Sequence, residues 1–184
     1  MKYFLICLLA LASCQAPTPR VSPVPRYVAE LRADAQKHPG SSTTLGCYVD
    51  LSLPDTGNRF FLLNLRSGQV ILSAPCLNGL TDENNRVQYS NTPNSNCSSR
   101  GLVRIGEKYR GSFGAAYRLY GLEKTTSNVR KRAVVLHAWY GVPAAPVAAH
   151  PIQSQGCPTL NPQVLDAVSE YLDEDHDSVL LRFN

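Results

Sequence analysis

The sequence predicts a mostly β domain with one short helix near its start and one near its end. Three observations support this. Short apolar segments recur between clusters of Gly, Pro, Asn and Ser. From Gly46 the apolar residues repeat with a period of two, the mark of half-buried strands. Helical periodicity is confined to Arg26–Lys37 and to the stretch after Asn161-Pro162. The chain has 184 residues, 43% of them apolar, enough for one well-buried core.

Lys2 and the short apolar run to Ala12 are too brief for a permanent membrane span and read as an export signal. Leu11-Ala12-Ser13-Cys14 resembles the lipobox of bacterial lipoproteins. That resemblance implies cleavage before Cys14, its acylation, and anchoring at a membrane, since stable anchoring takes more than one acyl chain. A plain secretory signal with an incidental cysteine is the alternative. Pro17, Pro19, Pro23 and Pro25 then make a semi-rigid tether of polyproline character. The expected organisation is a signal over residues 1–13, a lipidated tether over 14–25 and a domain over 26–184.

Within the domain, Tyr27, Val28, Leu31 and Ala35 mark the buried stripe of a helix ended by His38-Pro39-Gly40. Cys47–Leu53, Arg59–Leu65 and Gln69–Cys76 read as strands of an antiparallel meander. The polar stretch Asn78–Ser99 is too long for an ordinary connection and reads as a binding loop. Gly101–Ile105 and Ala116–Tyr120 are strands around a hairpin loop, Gly106–Gly114, with Tyr109 and Phe113 at its surface. Ala133–His137 is a buried strand with His137 at its exit and Trp139 and Tyr140 beyond, read as a pocket wall. The second helix buries Val164, Leu165, Val168 and Leu172, and Ser178–Phe183 is a last strand.

The formal charge of +4 is too mild to suggest nucleic acid as a partner. Its distribution is uneven: nine Lys or Arg lie between Arg100 and Arg132, and six acids between Asp166 and Asp177. Two solvated faces would explain this. The alternative is that some of the bases receive a carboxylate-rich substrate, with Arg118 and Arg104 as candidates. Of the six cysteines, Cys7 leaves with the signal and Cys14 takes lipid. Cys47, Cys76, Cys97 and Cys157 face an oxidising compartment, and Cys76 with Cys97 is the expected disulfide because both border the polar loop.

The chemistry points to Ser154-Gln155-Gly156-Cys157-Pro158, with His137 twenty residues before the cysteine. Gly156 permits a tight turn beside the thiol, and Asn161-Pro162 starts a helix just beyond, whose N-terminus favours a thiolate. Cys157 is therefore the expected nucleophile and His137 its base, a pairing that implies a lowered thiol pKa. A zinc site from His137, His150 and Cys157 is conceivable from ligand type alone. No HExxH or paired CxxC is present, and neither metal nor cofactor is expected.

From about Cys47 onward the chain resembles the L,D-transpeptidase catalytic domain family, the YkuD-like cysteine enzymes of peptidoglycan. The resemblance rests on Tyr48-Val49-Asp50-Leu51-Ser52-Leu53-Pro54, Tyr89-Ser90-Asn91-Thr92-Pro93-Asn94-Ser95, the strand ending at His137, and the Ser154–Pro158 turn. Two departures stand out: Gln155 where the commonest motif has histidine, and Thr159 where it has a basic or amide residue. The resemblance implies a YkuD-like sandwich or barrel-like β fold and acyl transfer on peptidoglycan stem peptides in the cell envelope. It places the nucleophile on Cys157 and the base on His137. Backbone N–H groups of Gly156 and Cys157, with Gln155, are the expected oxyanion donors, and Ser154, Arg118 and Trp139 the expected substrate neighbours. Hydrolysis of the same stems, or peptidoglycan binding without turnover, remain as alternatives.

Overall fold

The computed structural model describes residues 22–148 and 152–184. The proposed signal, Cys14 and most of the tether lie outside the described residues, as does His150 of the conceivable zinc site. In chain order the elements are α1 (Val24–Lys37), β1 (Ser41–Val49), β2 (Phe60–Asn64), β3 (Val70–Ala74), β4 (Gly101–Gly111), β5 (Gly114–Gly121), β6 (Val135–Ala138), β7 (Thr159–Leu160), α2 (Pro162–Glu174) and β8 (Ser178–Phe183). A short 3₁₀ turn, Lys124–Thr126, interrupts the path from β5 to β6. The strands form one mixed sheet in the order β3-β2-β1-β8-β4-β5-β6-β7. Pairing is antiparallel except between β1 and β8 and between β6 and β7.

The last strand sits in the middle of this sheet, and its composition explains why. Val179, Leu181 and Phe183 enter one core, while Leu180 enters the second on the opposite face. A strand apolar on both faces needs cover on both faces. α1 covers one side, with Tyr27, Val28 and Leu31 against Tyr48, Phe61, Leu63, Leu102 and Leu180. The ring of Tyr27 stacks 4.0 Å from that of Tyr48, and its hydroxyl donates to buried Asp50 at 2.6 Å. Arg182 donates to both carboxylate oxygens of Asp34, at 2.7 and 2.9 Å, clamping α1 to β8.

The other face curls around a larger core to which all eight strands contribute. Val164, Leu165 and Val168 of α2 close it on the sequence-expected stripe. The edges of the sheet meet where Leu77, just past β3, bridges Thr159 of β7 through an N–H···O bond of 3.0 Å. The fold is thus mainly β and barrel-like, with one helix before the strands and one after the cysteine, as the sequence predicts.

Several boundaries differ for identifiable reasons. α1 begins at Val24 rather than Arg26, because Pro25 falls in its first turn, where a missing N–H costs nothing. The β4–β5 hairpin continues through residues read as its loop, with a register shift between Ile105 and Lys108. That irregularity breaks the alternation on which the reading relied. The two-residue strand β7 is too short to show any period.

The expected Cys76–Cys97 disulfide does not form, and Cys47, Cys76, Cys97 and Cys157 are all free thiols. Cys47 and Cys76 belong to the apolar core, while Cys97 donates to the Ser95 carbonyl at 3.4 Å. Burial pushes the Cys76 thiol up to about 12 and raises that of Cys47 further. Among the described residues no helix is long and apolar enough to cross a membrane.

Candidate active site

Cys157 follows a turn that the local sequence builds tightly. Gly156 has φ +104°, a region that L side chains rarely adopt, and a Cβ there would lie 2.5 Å from the Cys97 carbonyl oxygen. Ser154 braces the turn from inside: its hydroxyl accepts from the Gly156 N–H at 3.1 Å and donates to the Cys157 carbonyl at 2.7 Å. The Ser154 N–H donates to Asn78 O at 2.7 Å, tying the turn to the start of the long polar loop. Gln155 is exposed. The N–H groups of Gln155 and Cys157 have no hydrogen-bond partner among the described residues, whereas that of Gly156 is taken by Ser154.

The thiol is half-buried at the entrance to β6. The Val135 N–H donates to Sγ at 3.5 Å, and Sγ lies 3.8 Å from the Ala133 carbonyl. Ala133 has φ +54°, a left-handed conformation costly for a residue with a Cβ. That kink lets the chain present both Ala133 O and Val135 N to one sulfur. Backbone strain of this kind gathers where the surrounding structure holds a functional group in place.

His137, on β6, is the direct register partner of Thr159 on β7. Its Nδ1 is 3.0 Å from its neighbour's carbonyl, Ala138 O, so Nδ1 carries the proton of the neutral ring. Nε2 is then the acceptor, and it is satisfied by the Thr159 hydroxyl at 3.1 Å. The same hydroxyl is 3.2 Å from Cys157 O, so its single proton has two acceptors to choose from. Among the described residues no hydrogen bond joins His137 to the thiol. The Phe113 ring, at the tip of the β4–β5 hairpin, stacks on the imidazole at 5.2 Å.

Both groups favour their neutral forms. Burial raises the Cys157 thiol above its ordinary value, against the opposing pull of the Val135 N–H and the Arg132 guanidinium. Burial also lowers His137, against the Ala138 carbonyl. This corrects the expectation of a lowered thiol pKa: desolvation outweighs the helping groups. A neutral thiol beside a neutral imidazole suits proton transfer during attack, rather than a preformed ion pair.

Arg132 is the residue that sequence reasoning missed. Its guanidinium donates to Ser90 O at 2.6 Å, Cys97 O at 2.6 Å and Ser99 Oγ at 3.0 Å, holding the polar loop against the cysteine turn. In the sequence it was only the end of a basic run, Arg130-Lys131-Arg132. Thr159, where the resemblance expects a basic or amide residue, supplies the hydroxyl that partners His137.

Arg118 is on β5 opposite Val135, with its Nε 3.1 Å from Glu107 and its guanidinium 4.2 Å from the Tyr109 ring centroid. Arg104 lies over Tyr120 at 4.6 Å. Trp139 is half-buried and Tyr140 is exposed. Among the described residues no cluster of three His, Cys, Asp or Glu side chains could hold a metal ion.

Residues 25–182 match the family model described as L,D-transpeptidase catalytic domain. The chain belongs to that family. Solved structures similar to it include LD transpeptidase LdtMt1 in complex with imipenem, at 17% identity over 77% of this chain and 59% of that one, TM-score 0.45. Mycobacterium tuberculosis L,D-transpeptidase 1 is 16% identical over 76% of this chain and 61% of its own, TM-score 0.39. The helical cell shape determining protein Pgp2 from Campylobacter jejuni is 11% identical over 88% and 55%, TM-score 0.48. The chain therefore spans little more than half the length of these proteins. No curated protein matches it.

Proposed function

We propose that this chain is a cysteine acyltransferase of peptidoglycan, an L,D-transpeptidase working through a Cys157 thioester. The observation that carries the reading is the free Cys157 thiol, which follows a glycine turn, accepts from the Val135 N–H and lies two residues before Thr159, the ladder partner of His137. In the forward step His137 Nε2 takes the thiol proton as sulfur attacks the carbonyl of a stem peptide. The Thr159 hydroxyl reverses its role at that moment. It ceases to donate to Nε2, accepts from the new Nε2–H, and turns its own O–H to donate a hydrogen bond to Cys157 O. The imidazolium formed during attack is thereby kept in place.

The developing oxyanion meets the N–H groups of Cys157 and Gln155; one such donor is typically worth about 3–4 kcal/mol of barrier. Gly156 serves as the hinge of the turn rather than a donor, since its N–H already bonds Ser154. The leaving amine recovers the proton from His137, and an amine from a second stem resolves the thioester into a cross-link. Water as acceptor makes the same site a carboxypeptidase. Arg118 and Trp139 are proposed to touch the stem, and Cys14 to carry the lipid that holds the domain at the envelope membrane.

The test uses a defined tetrapeptide stem and mass spectrometry. Wild type should release the terminal alanine, and both Cys157→Ala and His137→Ala should abolish release while folding normally. Thr159→Val should slow release by about ten- to a hundredfold, the loss of one hydrogen bond to a charged ring. A folded wild type that binds peptidoglycan but never releases alanine would leave the binding module as the better account. An active Cys157→Ala protein would exclude the thioester altogether.

A further inference from the structure

A cavity of about 940 Å³ opens beside the proposed catalytic turn, reaching Ile152 and Gln153 but not Cys157 itself. Its size is that of a ligand site rather than a packing defect. Three guanidinium groups line it, from Arg59, Arg86 and Arg100, and Asp55 is the one carboxylate side chain among the described lining residues.

Arg59 is the unusual member. Only 2% of it is exposed, yet its hydrogen bonds go to neutral acceptors: Asn78 Oδ1 at 2.6 Å and Leu51 O at 2.8 Å. Its buried Nε has no partner among the described residues. A guanidinium carries five N–H donors, so several stay unspent. Burying a charge is costly without a counter-ion, and Arg59 has no carboxylate within ion-pairing distance among the described residues. Arg86 makes no side-chain hydrogen bond there either, and Arg100 reaches only Asn184 Oδ1, at 3.3 Å. Asn78 couples this cation to the catalytic turn, since its side chain holds Arg59 and its carbonyl holds Ser154 N–H.

We propose that this cavity is a carboxylate subsite, in which Arg59, Arg86 and Arg100 receive a free carboxylate of a peptide stem held beside the thioester turn. The inference rests on the transpeptidase reading for its ligand and extends it to residues remote from Cys157. Arg59 supplies a rigid, desolvated charge, and the two exposed arginines close over the ligand from the rim. The Arg59 charge, which has no ion-pair partner among the described residues, then gains a counter-ion at contact distance when substrate is bound.

The test measures binding by calorimetry to the full chain carrying Cys157→Ala, which cannot turn substrate over. The probes are the tetrapeptide stem, the same stem with every carboxylate amidated, and inorganic phosphate as competitor. Amidation should weaken binding at least about tenfold, the loss of charge-assisted bonds. Arg86→Gln and Arg100→Gln, both exposed and tolerable to the fold, should each weaken binding of the stem severalfold and leave the amidated stem unaffected. Lys37→Gln, outside the cavity, should change neither. Equal affinity for the two stems, or indifference to both arginine substitutions, overturns the subsite. So does phosphate binding as tightly as the stem with the same dependence on the arginines, which would make it a general anion site. Alanine release by the wild-type chain is scored separately. Release without arginine-dependent binding rejects the subsite alone; arginine-dependent binding without release rejects the transpeptidase reading alone.

Discussion

At the scale of single residues, His137 is the proposed base, and its solvent access sets its protonation. Its ordinary pKa near 6.5 is lowered by burial, and part of that burial is the Phe113 ring stacked on it. The imidazole therefore stays neutral below pH 6.5, and the acid limb of any His137-dependent rate should fall below that value. Phe113→Ala returns water to the ring, favours the charged form, and should move the limb upward toward 6.5. Phe113 is 63% exposed, so the melting temperature should barely change. A pH–rate profile that does not move would show that Phe113 leaves the ring's hydration unaltered. The placement of Cys157 on a glycine turn and of His137 on an apolar strand was legible in the sequence, because each has a local pattern. Arg132 and Thr159 were not, because their roles depend on which distant carbonyl or ring the fold sets beside them.

At the scale of elements, the polar loop between β3 and β4 is held from outside. Tyr89 bridges Ser98 and Thr81 bridges Val87 within it, but Arg132 and the Asn91–Asn128 pair fasten it to the β5–β6 connection. Arg132→Gln should cost on the order of 2 kcal/mol in urea unfolding, since bonds to a charged donor are lost from a half-buried site. Residues 88–99 should then be cleaved faster by a nonspecific protease. The same substitution removes a cation beside Cys157, so the thiol should rise further and iodoacetamide should label it more slowly. Arg132→Lys separates the two effects: it keeps the charge and loses the planar fork. It should restore labelling more than it restores protection of the loop. Labelling unchanged in Arg132→Gln would remove Arg132 from the thiol's electrostatics. The two helices and the order of the β1–β3 meander were readable from period and caps, although β1 spans Ser41–Val49 rather than the expected Cys47–Leu53, and the outer half of β4 was hidden by its irregular register.

At the scale of the whole molecule, the sheet joins segments that no local pattern connects. β1 runs parallel to β8 with Cys47 opposite Leu181, and the edges meet at Leu77 and Thr159. Alternation identified the strands but carries no information on which strand lies beside which. The disulfide expectation failed for a related reason. Cys76 points into the core that also holds Cys47, while Cys97 lies with the loop, so sharing a loop did not bring the sulfurs together. Two buried core thiols have a consequence for stability in alkali. Each is neutral in the folded protein well above the pH at which an unfolded cysteine ionises, about 8.5. The unfolded chain therefore binds fewer protons above that pH, and the unfolding free energy falls as pH rises. Below 8.5 neither state ionises and the contribution is constant; above it, each thiol removes up to about 1.4 kcal/mol per pH unit. Between pH 9 and 10, before most tyrosines titrate, the two together should lower unfolding free energy by roughly 2–3 kcal/mol. Urea melts at closely spaced pH values measure this slope directly. Cys47→Ala with Cys76→Ala should be less stable at pH 7, because the core loses two sulfurs, yet should show a much flatter decline between pH 9 and 10. A double variant that declines as steeply as wild type would mean that other groups, not these thiols, set the alkaline limit of the fold.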